Sequence, residues 1–139
     1  MFRLDGKVAL VSGAGRGMGF GVAQMLAQAG ATVIVNDFFA DRAEAGAQAL
    51  RSEGFKAFGA TADMTDREAV FAMVKNLLAE HGSIDVFVHN AGIPAQGWGY
   101  TPFLESPPSE WDAWLQLNLH GLMHACQAIL PSMIERGWG

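Results

Sequence analysis

The stretch Val8-Ala9-Leu10-Val11-Ser12-Gly13-Ala14-Gly15-Arg16-Gly17-Met18-Gly19 decides the fold. Its first four residues form a continuous apolar run with no alternation, which suits a parallel strand covered on both faces. Glycines follow at once. Val22, Ala23, Leu26 and Ala27 then recur at helical spacing until Gly30, a residue type that stops helices. A strand that passes through glycines into a helix gathers amide N–H groups and the positive end of the helix dipole at one spot, which suits a pyrophosphate. The strict G-x-G-x-x-G pattern fails in every register, reaching Met18 from Gly13, Phe20 from Gly15 and Val22 from Gly17. No Gly-Lys-Ser/Thr follows, so a Walker phosphate loop is excluded. The spacing that fits is G-x-x-x-G-x-G, at Gly13, Gly17 and Gly19. Glycine at these places serves a tight turn, backbone approach to phosphates and close helix–strand packing. A glycine-rich turn holding no ligand is the alternative these residues leave open.

Outward from that segment, strand-like and helix-like stretches alternate. Thr32 to Val35 is a β-branched run ending at Asn36-Asp37, and Asp41 to Glu53 is Ala-rich and helical, closed by Gly54. Lys56 to Ala60 is a weaker third strand. Thr65-Asp66-Arg67-Glu68 matches a capping box led by the Thr65 hydroxyl. The helix it opens carries Val70, Val74, Leu77 and Leu78, and Ile84 to Val88 is a fourth strand. Residues 92–106 read as a surface loop, and 108–136 as helical with bends near Gly121 and Pro131. Four strands alternating with helices require a parallel sheet with right-handed crossovers. The expected architecture is a doubly wound, Rossmann-like α/β domain over residues 1–139, with no repeat or linker.

Composition removes several function classes. A formal net charge of −5 without a basic block argues against a nucleic-acid partner. No run approaches the ~18 apolar residues that span a bilayer, and the amino end lacks a signal-type apolar core. The single cysteine, Cys126, forms no internal disulfide and suits a reducing compartment. Together these point to a cytoplasmic protein with no membrane partner. His120 and His124 stand four apart on one helix but lack a third ligand, so no metal site is expected. Cys126 is expected in the core, and Trp111 and Trp114 as packing at the start of the last helical region. Gly97-Trp98-Gly99-Tyr100 reads equally as a pocket border or as an anchored loop.

Asp37 ends the second strand. A carboxylate there can accept hydrogen bonds from both ribose hydroxyls of an adenosine and would repel a 2′-phosphate. That predicts NAD rather than NADP. Arg16 pulls the other way, but Phe38 supplies no second cation beside it. A solvated Asp at a turn is the alternative.

The glycine loop, Asp37, Asp63, the run His89-Asn90-Ala91-Gly92, and Asn118 together resemble the classical short-chain dehydrogenase/reductase family along the whole chain. The resemblance implies hydride transfer between a nicotinamide and a small-molecule alcohol or carbonyl substrate. It implies cofactor contacts from Ser12, Gly13, Arg16, Gly17, Met18 and Gly19, and adenine contacts from Asp63 with Met64. Asn90, Ala91 and Gly92 would line the adenosine ribose side. Asn118 would be the catalytic-set residue that holds a water in a proton relay. The last helices would pack between subunits of a homo-oligomer. His89 departs from the family, where a second Asn is commoner.

The family's serine and Tyr-x-x-x-Lys are absent from these residues. Tyr100 is the one tyrosine, with Leu104 where the lysine would stand. A phenol needs a nearby cation to act as a base at neutral pH. The resemblance places that pair past a fifth strand beginning after Gly139. The expectation is therefore a domain truncated after the fourth strand and following helices, inactive alone and prone to self-association through an uncovered edge. A non-catalytic nucleotide-binding or assembly module is the alternative. A methyltransferase is disfavoured by the Gly13–Gly17 spacing and by Asn90-Ala91-Gly92.

Overall fold

The computed structural model describes residues 3–94, 97 and 101–139. Trp98, Gly99 and Tyr100 lie outside the described residues. A parallel sheet runs in the order β3-β2-β1-β4, built from β1 (Val8–Val11), β2 (Thr32–Asp37), β3 (Ala57–Thr61) and β4 (Val86–Val88). Among the described residues five α-helices accompany it: α1 (Gly17–Gln28), α2 (Ala40–Ser52), α3 (Arg67–His81), α4 (Pro108–Leu115) and α5 (Gly121–Arg136).

The apolar run of β1 is explained by two cores. Val8 and Leu10 point, with Ile34, toward α3 and α5, where Val70, Val74, Leu77, Ala125 and Ile129 pack. Ala9 and Val11 point the other way, with Val33 and Val35, against Ala23 and Ala27 of α1 and Ala47 and Leu50 of α2. A strand covered on both faces cannot alternate. The chain moves outward through β2 and β3, then returns to lay β4 on the opposite side of β1. That reversal opens a crevice beyond the carboxyl ends of β1 and β4, where open α/β sheets hold ligands. No helix among the described residues is long and apolar enough to cross a membrane.

Four local expectations are corrected. β4 is shorter than Ile84–Val88: Ile84 fills the core, and the buried Asp85 turns its carboxylate to the Val8 amide at 2.9 Å, so pairing starts at Ala9 with Val86. The cap of α3 is Asp66, which accepts from the Glu68 and Ala69 amides, while the Thr65 hydroxyl donates to Asp63 at 2.7 Å. Cys126 is half-buried and lines an apolar groove beside β4 with Met133 and Trp138.

The fourth correction concerns the last helical region, which contains a π turn over Gln116–His120. An inserted residue advances the helix phase by ~100°. Leu117, Gly121, Ala125 and Ile129 consequently form the buried row. Leu115, Leu119 and Leu122 stay exposed.

Candidate functional site

The glycine loop is shaped by what its glycines abut. Gly13 has φ +62°, and a Cβ there would stand 2.9 Å from the Ala91 Cα. Gly17 has φ +61° with open space where its side chain would be, which leaves its backbone free to be approached. A Cβ on Gly19 would overlap the Asn90 side-chain nitrogen and the Gly13 carbonyl. Gly15 sits at a spacer position of the sequence pattern, yet its Cβ would lie 2.7 Å from the Asp37 carboxylate and 2.8 Å from the Arg42 backbone. The amino end of α1 begins at Arg16 with no side-chain cap and no acidic residue in its first turn. Its free amides keep their full pull on an anion.

Asp37 is buried rather than solvated. One carboxylate oxygen accepts from the Gly15 amide at 3.2 Å and the other from the Phe39 amide at 3.1 Å. Each oxygen retains a further lone pair. The expectation of no second cation beside Asp37 fails, because α2 supplies one: Arg42 stacks over the Phe39 ring at 4.2 Å and lines the same cleft. Asp63 accepts from both the amide and the hydroxyl of Thr65, and Met64 is buried beneath it.

At the end of β4, Asn90 donates through its side-chain amide to the carbonyls of Ser12 and Gly13, at 3.1 and 3.0 Å. Ser12 is fully buried. Expected to touch a ligand, it instead works from behind the wall: its hydroxyl accepts from the Asn90 and Ala91 amides, at 3.0 and 3.1 Å, and meets His89 Nδ1 at 3.3 Å. The other ring nitrogen, Nε2, is 3.1 Å from the Leu117 carbonyl. Burial holds the His89 imidazole below its ordinary range, outweighing the Leu117 carbonyl, which favours the charged form. Asn118 lies in the π turn and donates to the carbonyls of Gly92 and Trp114, at 2.9 and 3.0 Å. His120 and His124 meet edge-on, with His124 Nδ1 3.2 Å from the Met64 carbonyl.

These pieces surround one cleft of about 1040 Å³. Gly13, Arg16, Gly17, Met18, Gly19, Asp37, Asp63, Met64, Asn90, Ala91 and Gly92 all line it. Ser12 stands behind it, and Asn118 reaches it through the Gly92 carbonyl. Arg42, Phe39 and Trp114 are lining residues that the sequence reading missed. Arg42 was findable, since it lies one helical turn into the element that follows Asp37.

An uncapped helix end, a glycine turn and an acidic second-strand terminus at a sheet's switch point define a Rossmann-like nucleotide-binding domain. The chain belongs to the short chain dehydrogenase family, whose sequence profile matches residues 7–139. It is 36% identical over 139 residues to a 5-keto-D-gluconate 5-reductase of Escherichia coli, covering 100% of this chain and 53% of that protein. It is 38% identical over 138 residues to a D-threitol dehydrogenase of Mycolicibacterium smegmatis, covering 99% and 52%. A crystal structure of a gluconate 5-dehydrogenase from Burkholderia cenocepacia, in complex with NADP and tartrate, superposes with a TM-score of 0.90 at 39% identity, covering 99% of this chain and 52% of that one. The chain thus spans about half the length of the curated relatives it matches.

Proposed function

We propose that this chain is the dinucleotide-binding portion of an NAD-dependent oxidoreductase acting on a small alcohol or carbonyl compound. The observation that carries the reading is the meeting of the uncapped α1 terminus and Asp37 in one cleft large enough for a dinucleotide. The nicotinamide, when bound, supplies hydride acceptance or donation. The chain's residues bind and orient it. The amides of Gly17, Met18 and Gly19 seat the diphosphate, with Ser12 and Gly13 shaping the turn beneath and Arg16 at its side. Asp37 takes the adenosine ribose. Asp63 and Met64 border the adenine, and Asn90, Ala91 and Gly92 wall the ribose side. Asn118, fixed by the Gly92 carbonyl, orients a water for proton relay. The sequence holds no Tyr-x-x-x-Lys, so the reading gives this segment binding and positioning rather than the proton transfer itself. The same reading makes residues 1–139 one incomplete domain of a cytoplasmic homo-oligomer. Exposed Leu115, Leu119 and Leu122 support contact through the last helices.

NADP is a second reading, favoured by Arg42 and Arg16 lining the cleft on either side of Asp37. The NADP in the gluconate 5-dehydrogenase structure leans the same way. Fluorescence titration with NADH and NADPH separates the two. NADH is expected to bind tighter, and Asp37→Ala to weaken NADH more than NADPH by about 1–3 kcal/mol, the worth of hydrogen bonds to a charged group. Tighter NADPH binding by the unaltered chain would assign the cleft to NADP.

A further inference from the structure

We propose that His89 is a positioning residue which, as a neutral Nε2–H imidazole bridging Ser12 and Leu117, ties the glycine loop to the π turn that carries Asn118, and that its protonation releases the tie. The hydrogen-bond inventory fixes the tautomer. A hydroxyl offers one donor and two acceptor sites. The Asn90 and Ala91 amides occupy both acceptor sites of Ser12 Oγ, so its hydrogen must go to His89 Nδ1. A carbonyl only accepts, so Nε2 must carry the proton facing Leu117. Both ends demand the same form.

The bridge also accounts for the π turn. There the Gly121 amide reaches back five residues to the Gln116 carbonyl. Side chains hold two nearby carbonyls: Asn118 donates to that of Trp114, and His89 to that of Leu117. Such turns gather at functional sites.

A second proton would point Nδ1–H at a hydroxyl oxygen whose acceptor sites are taken, on a fully buried Ser12. Either the Asn90 and Ala91 amides or the imidazolium then loses its partner. The groups around the ring give the charge little help. β1 presents Ser12, β4 the Phe87 ring at 6.0 Å, and α5 Gly121, whose Cβ would stand 3.4 Å from His89 Cε1. Nearby titratable groups are turned elsewhere: His124 to the Met64 carbonyl, His120 to His124, and Asp63 to Thr65. The depressed basicity from burial agrees with this geometry.

Long-range 1H–15N correlation of the histidine rings against pH tests the proposal, with His89 assigned from His89→Gln. The expected result is an Nε2–H tautomer titrating below the ordinary 6.5, with the Asn90 and Ala91 amide shifts following the same midpoint. An Nδ1–H tautomer, a midpoint at or above 6.5, or amides indifferent to the transition would overturn it. A second arm rests on the dinucleotide reading. NADH affinity is expected to fall by up to tenfold per pH unit below that midpoint, by one-proton linkage, and His89→Gln to flatten the dependence. A pH dependence that His89→Gln leaves intact would overturn the coupling. Absence of NADH binding at every pH would sink the dinucleotide reading, and the ring spectra would still decide the tie.

Discussion

Gly19→Ala is expected to destabilise the chain by about 3 kcal/mol and to bring dinucleotide affinity below detection, while Gly21→Ala, two positions along the same helix, does neither. The contrast isolates close approach from helix propensity. A Cβ at 19 would overlap the Asn90 side-chain nitrogen and the Gly13 carbonyl and lie 3.0 Å from the Ala14 Cα. Two of those neighbours are backbone and cannot rotate away, and the third holds the loop through two hydrogen bonds. Overpacking a tight site costs about 1–3 kcal/mol, and breaking the Asn90–Gly13 bond adds about 1 kcal/mol. At Gly21 nothing lies within 4 Å of the added Cβ. Alanine there should be neutral or stabilise by up to about 1 kcal/mol through helix propensity. Chemical denaturation of both variants checks the pair. Equal effects would show that α1 tolerates no change for reasons other than the loop contact.

Asp85→Ala is expected to cost about 3 kcal/mol, or roughly 10 °C in thermal midpoint for a chain of this size. The carboxylate sits at the end of the sheet opposite the cleft, and its loss should leave dinucleotide contacts in place. It accepts from the Val8 amide at 2.9 Å and the Ser83 hydroxyl at 2.7 Å, and it pairs with Lys7 at 3.7 Å and Arg136 at 3.4 Å. Burial pushes its carboxyl upward, but the Val8 amide, the Ser83 hydroxyl and the two cations outweigh it and hold the group below 3.8. A depressed folded-state value means the unfolded chain takes the proton first. The contribution is therefore complete above about pH 3.8 and disappears as pH falls through that value toward the folded one. Asp85→Asn should retain part of the stability and lose this acid-sensitive part. Melting curves from pH 7 to pH 3 read both. A variant melting with the unaltered chain throughout would contradict the assignment.

Much of this architecture was legible because its signals are local. β1 matched its apolar run to the residue, and the glycine loop announced the strand-to-helix passage that follows. Other features depend on groups brought together by folding. The π turn leaves no mark in apolar spacing, yet its extra residue sets Leu117 and Gly121 in the same buried row as Ala125 and Ile129. Thr65 satisfied a capping pattern, but Asp63 lay within reach of its hydroxyl and Asp66 was better placed for the amides. Gly15 occupies a spacer position, and the approach of Asp37 and Arg42 shows why it lacks a side chain. Ser12 read as a cofactor contact and His89 as a departure from the family pattern, and only the sheet sets the two side by side.

The proposition under test is that the α1 terminus and the acidic end of β2 jointly form a seat for a nicotinamide dinucleotide. Isothermal calorimetry on the folded chain examines it with least intervening assumption. A saturable one-to-one heat with NADH, abolished by Gly19→Ala and reduced by Asp37→Ala, is the predicted outcome. A cooperatively folded chain giving no heat with either NADH or NADPH would contradict it.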